Sequence, residues 1–111
     1  MWVKKGEEYA TQEAAVKYMR LKYPNYLCFS VPNEAAWKNK NYFSNLGMMP
    51  GVSDLIVVLP GKVLFIEFKS KIGRQSVEQK AFMNKVEALG FNYHLIRNLD
   101  DFLEIIENEL N

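Results

Sequence analysis

The most apolar stretch of the chain is an unbroken run of aliphatic residues from Leu55 to Leu59. Turn-forming residues bound the run on both sides, so it predicts a short, fully buried strand better than a helix. Pro60-Gly61-Lys62 follows as a tight turn, and Val63 to Lys69 predicts a second strand. The two strands should therefore pair as an antiparallel hairpin.

Three other stretches have the spacing of amphipathic helices. They run from about Gly6 to Tyr23, from Ser76 to about Leu89 and from Leu99 to Leu110. Ser76 with Gln79 three residues later is a capping-box pattern, which indicates where the second helix begins.

Two further stretches, Tyr26 to Val31 and Phe91 to Ile96, predict strands. Because a helix lies between the third and fourth strands, those two strands should be parallel. We therefore predict an α/β fold in which helices flank a mixed four-stranded sheet, in the order α-β-β-β-α-β-α.

Charged residues stand at one end of the apolar hairpin. Side chains alternate along a strand, so Phe65, Glu67 and Lys69 share one face, and hairpin pairing brings Asp54 beside the end of their strand. Charges in such apolar surroundings are costly unless they are paired or bind a metal. Either Glu67 and Lys69 form an ordinary ion pair and Asp54 is a loop residue, or the three residues form a catalytic site.

Polar residues also lie on the inward faces of two helices. At 100° per residue, Glu8 shares a stripe with Ala15 and Met19, whereas Glu13 points the other way. A glutamate at a helix N-terminus is also favourable in itself, so Glu8 has a structural explanation as well. Gln79 lies on the sheet-facing stripe of its helix, from which it can reach the hairpin end instead of folding back on the backbone.

The net charge of +1 is unevenly distributed. Residues 36–80 contain seven bases and three acids, a net +4, and residues 98–111 contain five acids and no base, a net −5. Such segregation can create a basic face around the hairpin end, although a solvated surface without a partner shows a milder version of it.

The segment from Pro32 to Met49 interleaves lysines and asparagines with aromatic residues and has no clear period. This composition suits phosphate contacts and base stacking. Alternatively, Trp37, Tyr42 and Phe43 anchor the segment on the core. The candidate DNA-binding residues here and after the hairpin are Asn33, Lys38, Lys40, Lys71 and Arg74.

The composition is that of a globular protein, with 49% hydrophobic and 14% aromatic residues in a chain of 111. This length predicts one domain spanning residues 1–111. Cys28 is the only cysteine, so an internal disulfide is excluded and we expect a reducing, cytoplasmic setting without a membrane span. His94 is the only histidine, and we expect a structural role for it.

Together these motifs resemble the VRR-NUC family, a small branch of the PD-(D/E)xK nuclease superfamily with a restriction-endonuclease-like core. The resemblance covers nearly the whole chain, and Ser53 stands where the family often has proline. It rests on Glu8 with Gln12, on residues 29–34 and 47–56, on Phe65-Ile66-Glu67-Phe68-Lys69, and on residues 76–80.

The resemblance implies a divalent-metal site. Asp54 and Glu67 would bind Mg²⁺ or Mn²⁺ with the main-chain carbonyl of Phe68, and Lys69 would position or deprotonate the attacking water. Gln79 would orient a ligand or the water, and the helix residue Glu8 would also contribute. The chemistry is reasonable by itself, because Mg²⁺ takes oxygen ligands and keeps several waters.

The resemblance implies a DNA endonuclease in a bacterial or phage-infected cell. Its implied substrate is branched DNA, such as a four-way (Holliday) junction. Resolving a four-way junction needs two symmetric cuts, and the two identical sites of a homodimer would supply them. Its interface could use Trp37, Tyr42, Phe43, Met48 and Met49, unless a monomer buries them. The alternative is a non-catalytic module that binds nucleic acid or protein, which the presence of Asp54, Glu67 and Lys69 together disfavours.

Overall fold

The computed structural model describes residues 6–31 and 45–111, in which helices and strands follow the predicted order. The elements are α1 Gly6–Lys22, β1 Leu27–Ser30, β2 Leu55–Leu59, β3 Lys62–Phe68, α2 Val77–Ala88, β4 Asn92–Ile96 and α3 Leu99–Leu110. The predicted candidates Asn33, Lys38 and Lys40, and the aromatic residues Trp37, Tyr42 and Phe43, lie outside the described residues.

The four strands form one sheet in the order β1-β2-β3-β4. β2 pairs antiparallel with β1 and with β3, whereas β3 and β4 are parallel. The connection between β3 and β4 contains α2, which carries the chain back along the sheet as the parallel pairing requires. The predicted mixed sheet and its flanking helices are therefore confirmed.

One face of the sheet packs against α1 and α3. Leu64 and Ile66 of β3 are fully buried there with Phe102 and Ile106 of α3. Since side chains alternate along a strand, Phe65 and Glu67 lie on the opposite face. Phe65 makes an edge contact with Phe82 of α2, with ring centroids 5.8 Å apart, so α2 covers this second face.

A polar cluster joins α1 to α3 at the surface. The Glu107 carboxylate accepts hydrogen bonds from the hydroxyls of Tyr18 and Tyr23, at 2.6 and 2.7 Å, and pairs with Lys22 at 3.1 Å. These donors, Tyr18 foremost, lower the pKa of Glu107 to about 2. Glu107 is therefore ionised at neutral pH and helps to hold the two helices together.

His94 belongs to the face that α3 covers. Its Nε2 lies 3.0 Å from the Glu109 carboxylate of α3, which also accepts a hydrogen bond from Asn92 at 2.7 Å. These contacts tie the end of α3 to β4, on the face of the sheet opposite to Glu67. They agree with a structural role for His94.

Candidate active site

Asp54 and Glu67 meet at one end of the β2–β3 hairpin. Leu55 pairs with Ile66, so the residue before β2 comes opposite Glu67. The Asp54 carboxylate accepts a hydrogen bond of 2.7 Å from the backbone N–H of Phe68, and its carbonyl accepts one of 3.0 Å from Val31. Both β1 and β3 therefore hold Asp54 in place.

Glu67 is a buried carboxylate, with only 1% of its surface exposed. Its Oε2 accepts a hydrogen bond of 2.8 Å from Gln79 and lies 3.7 Å from the Lys69 ammonium. Its Oε1 accepts a hydrogen bond of 3.0 Å from the Tyr93 hydroxyl. Burial of a carboxylate is costly, and two hydrogen bonds and one ion pair, from three parts of the fold, offset that cost.

Gln79 has two roles that the sequence analysis treated as alternatives. Its Oε1 accepts a hydrogen bond of 2.8 Å from the Ser76 backbone, and the Ser76 hydroxyl accepts one from the Gln79 backbone, completing the capping box. Its Nε2 is left to bind Glu67. The expectation that one role excludes the other is wrong, because the two ends of one amide serve both.

Gly51 brings the loop before Asp54 against the start of α2. Its φ is +83°, a conformation that side chains with a Cβ rarely adopt. A Cβ at this position would collide with the Glu78 carbonyl and would lie 2.8 Å from the Gln79 backbone nitrogen. The absence of a side chain therefore lets the Asp54 loop touch the helix turn that carries Gln79.

Ser53, beside Asp54, is fully buried. Its hydroxyl has no hydrogen-bond partner within the described ranges 6–31 and 45–111. The position at which the chain departs from the VRR-NUC pattern is thus an interior one, where a small side chain is accommodated.

Tyr93 and Gln75 are site residues that the sequence analysis missed. Tyr93 is buried, and its hydroxyl also accepts a hydrogen bond of 3.3 Å from the Gln75 side chain. Burial, and then the Glu67 charge, raise the pKa of the Tyr93 phenol, so it stays protonated and donates to Glu67. The one available signal was strand alternation, which places Tyr93 beside Phe65, its partner in the register.

The first turn of α1 contacts the loop that follows Lys69. Glu8 is half-buried, and its carboxylate accepts a hydrogen bond of 3.4 Å from the Ser70 backbone. Glu13 is exposed and accepts a hydrogen bond from Tyr9. The predicted orientation of the two glutamates is therefore confirmed. Lys71 and Arg74 are exposed on the same loop.

The hairpin end offers oxygen donors that suit a hard divalent cation. Asp54 and Glu67 supply two carboxylates beside one ammonium, and the Phe68 main chain lies between Glu67 and Lys69. In residues 6–31 and 45–111, no group of three or more His, Cys, Asp or Glu residues is arranged for metal binding. Mg²⁺ needs only one or two protein carboxylates when waters and phosphate complete its shell, so these residues fit it.

Two solved structures share this fold. One, titled "VRR_NUC domain protein", gives a TM-score of 0.75 at 19% identity over 98% of this chain and 93% of that one. Another, titled "VRR_NUC domain", gives 0.68 at 19% identity over 93% of this chain and 97% of that one. No family model and no curated protein matches the chain. The predicted resemblance is confirmed for the fold.

The contact at Gly51 predicts an unusually large effect of adding one methyl group. Gly51→Ala should destabilise the protein by roughly 3 kcal/mol or more, because backbone strain and a collision with α2 combine. Gly90→Ala is the matched control, since Gly90 has a similar φ of +89° and no atom near its Cβ position. It should cost only about 1–2 kcal/mol, the strain of one residue with a Cβ in the left-handed conformation.

Unfolding in urea, followed by circular dichroism, measures both variants. An equal loss of unfolding free energy in the two would show that the close approach of Gly51 to α2 contributes nothing.

Proposed function

We propose that the protein is a divalent-metal-dependent DNA endonuclease of the VRR-NUC family. One observation carries the proposal: Asp54, Glu67 and Lys69 converge at one end of the hairpin, with Lys69 3.7 Å from Glu67. The fold shared with two VRR_NUC structures supports a nuclease-type function. The proposed place of action is the cytoplasm of a bacterium or of a phage-infected cell.

In the proposed mechanism, Mg²⁺ or Mn²⁺ would be held by the carboxylates of Asp54 and Glu67 and by the Phe68 carbonyl. The bound ion would lower the pKa of a coordinated water and polarise the phosphodiester. The Lys69 ammonium positions the attacking water and attracts the phosphate. Water attacks phosphorus and gives up one proton to solvent, the bond from phosphorus to the leaving oxygen breaks, and that oxygen takes up a proton from solvent.

Gln79 and Tyr93 act through Glu67 in this proposal. A carboxylate oxygen has two lone pairs, so in general it can accept a hydrogen bond and also bind a cation. The two donors hold the carboxylate in one rotamer from opposite sides. Glu8 steadies the backbone that follows Lys69. These residues would therefore position the metal-binding groups.

Removal of any of the three central groups should abolish cleavage while the fold survives. Asp54→Asn, Glu67→Gln and Lys69→Ala should each cost several kcal/mol of transition-state stabilisation, with smaller effects on DNA binding. Glu8→Gln should reduce the rate, and Glu13→Gln, its exposed control, should leave it unchanged.

Rates on labelled DNA with Mg²⁺ or Mn²⁺, and with a chelator, test this prediction. Near-wild-type cleavage by a folded Lys69→Ala protein would refute the role of the lysine. DNA binding without any metal-dependent cleavage would favour the alternative, a non-catalytic interaction module.

The Tyr93 hydroxyl should matter to the site more than to the fold. Tyr93→Phe keeps the ring and removes one hydrogen bond to Glu67, so cleavage and Mn²⁺ affinity should both fall roughly tenfold or more. Calorimetric titration of Mn²⁺ into DNA-free protein gives a readout independent of activity. Tyr9→Phe, which removes an exposed hydroxyl, is the control. Unchanged Mn²⁺ affinity in Tyr93→Phe would contradict the positioning role.

The proposed substrate is branched DNA, cut by a homodimer whose two identical sites suit symmetric incision. Among the described residues, the outer strand β1 supports this by exposing Leu27 and Phe29, which alternate onto one face. Exposed Leu46 and the predicted interface residue Met49 add apolar surface. Contiguous exposed apolar surface is typical of interaction sites.

Light scattering should therefore give the mass of a dimer, and a four-way junction should be cut faster than linear duplex. Leu27→Lys should shift the protein to monomer, since a charge would be buried in the interface. Leu21→Lys is the control, because Leu21 is 85% exposed on α1. A monomer that cuts duplex as fast as junction would overturn both halves of the prediction.

A further inference from the structure

The loop from Ser70 to Gln75, termed the basic loop, is exposed and yet firmly held. It follows Lys69 directly, at the end of β3. Arg97, which follows β4, donates hydrogen bonds from one guanidinium nitrogen to the carbonyls of Ser70 and Gly73, at 2.6 and 2.8 Å, with the Lys71 carbonyl at 3.3 Å. Sequence motifs did not single out Arg97.

The basic loop is also anchored from α1 and by its own backbone. The carboxylate of Glu7 accepts a hydrogen bond of 3.0 Å from the Lys71 N–H, beside the Glu8 contact with Ser70. Gly73 donates to the Ser70 carbonyl at 3.2 Å. Connecting loops are usually mobile. Contacts from both α1 and Arg97 to one short loop therefore indicate that its backbone is held in one conformation.

The basic loop presents an aliphatic side chain between two cations. Ile72 is 87% exposed and lies between exposed Lys71 and Arg74. A single exposed isoleucine is common on protein surfaces. Here, however, it projects from a fixed backbone three residues after Lys69, and its exposure shows that it does not belong to the core of residues 6–31 and 45–111. Its charged neighbours favour an anionic partner over an apolar one.

We propose that Ile72 contacts the bases of the DNA substrate where their stacking is interrupted, with Lys71 and Arg74 on the neighbouring phosphates. The proposal rests on the proposed function and specifies how its substrate is recognised. Aliphatic side chains enter base steps in many DNA complexes, and unstacking costs least where pairing is already disturbed. Arg97 is the positioning residue, because it holds the backbone of the basic loop in place while the Ile72 side chain contacts the bases.

The test uses a four-way junction and a linear duplex that carry 2-aminopurine, with chelator present so that no cleavage occurs. Wild-type protein should raise the fluorescence of the junction, where the probe is at the branch. Ile72→Ser should lose most of that rise and bind the junction roughly fivefold to tenfold more weakly, in line with the loss of one base contact. Leu21→Ser, which alters an equally exposed aliphatic residue, should behave as wild type.

Salt dependence separates the base contact from the phosphate contacts. Ile72→Ser should leave the slope of affinity against salt unchanged, and Lys71→Ala should reduce it by about one phosphate contact. Arg97→Lys keeps the charge, but the lysine ammonium ends one bond short of the guanidinium nitrogen that binds the loop carbonyls. It should speed amide exchange at Lys71 and lower the junction fluorescence without changing the slope.

Wild-type fluorescence and affinity in Ile72→Ser, in a protein that still cuts junctions, would overturn this proposal and leave the proposed function standing. A change of mass in Ile72→Ser with unaltered fluorescence would also overturn it, by assigning Ile72 to a subunit interface. Failure of wild-type protein to bind or cut any DNA would instead refute the proposed function.

Discussion

The burial of Glu67 is the constraint on which the site depends. A carboxylate that is 1% exposed needs polar or charged partners, and each partner of Glu67 comes from a different part of the fold. Lys69 extends from the end of β3, Gln79 from the first turn of α2, and Tyr93 from β4. The carboxylate is therefore stable only when the hairpin, the crossover helix and the parallel strand are all in place.

The crossover helix α2 links folding to the site. Its capping box uses the Gln79 side chain that also binds Glu67, and its first turn touches Gly51 in the loop before Asp54. Its aromatic residue Phe82 packs on Phe65 and on Tyr93, with centroids 5.8 and 6.3 Å apart. One helix therefore covers the second face of the sheet, orients the Glu67 carboxylate and touches the loop that leads to Asp54, so changes in its packing should alter the geometry of the site.

The two faces of the sheet have different roles. The face under α1 and α3 is an aliphatic core with polar clusters around Glu107 and Glu109 at its margin, which join helices to each other and to β4. The face under α2 contains the buried carboxylate. α1 packs on the first of these faces with its later turns, and its first turn anchors the basic loop beside the site through Glu7 and Glu8.

The sequence by itself determined the helices and strands, and it also determined that Asp54 and Glu67 meet in the site. Local patterns were sufficient for the β2–β3 hairpin, the cap at Ser76 and the parallel crossover, because hydrophobic period and capping are short-range. The hairpin register then brought Asp54 opposite Glu67. Helical phasing also separated Glu8 from Glu13.

Only the tertiary structure decided which side chains complete the site. Tyr93, Gln75 and Arg97 carry no motif, and their contacts join residues 18 to 27 positions apart in the chain. The dual role of Gln79 likewise depends on where α2 docks on the sheet. The alternation of side chains along a strand shows which face of the sheet each one occupies. Which atoms that side chain contacts depends on how the helices and strands pack together, and long-range contacts define this packing.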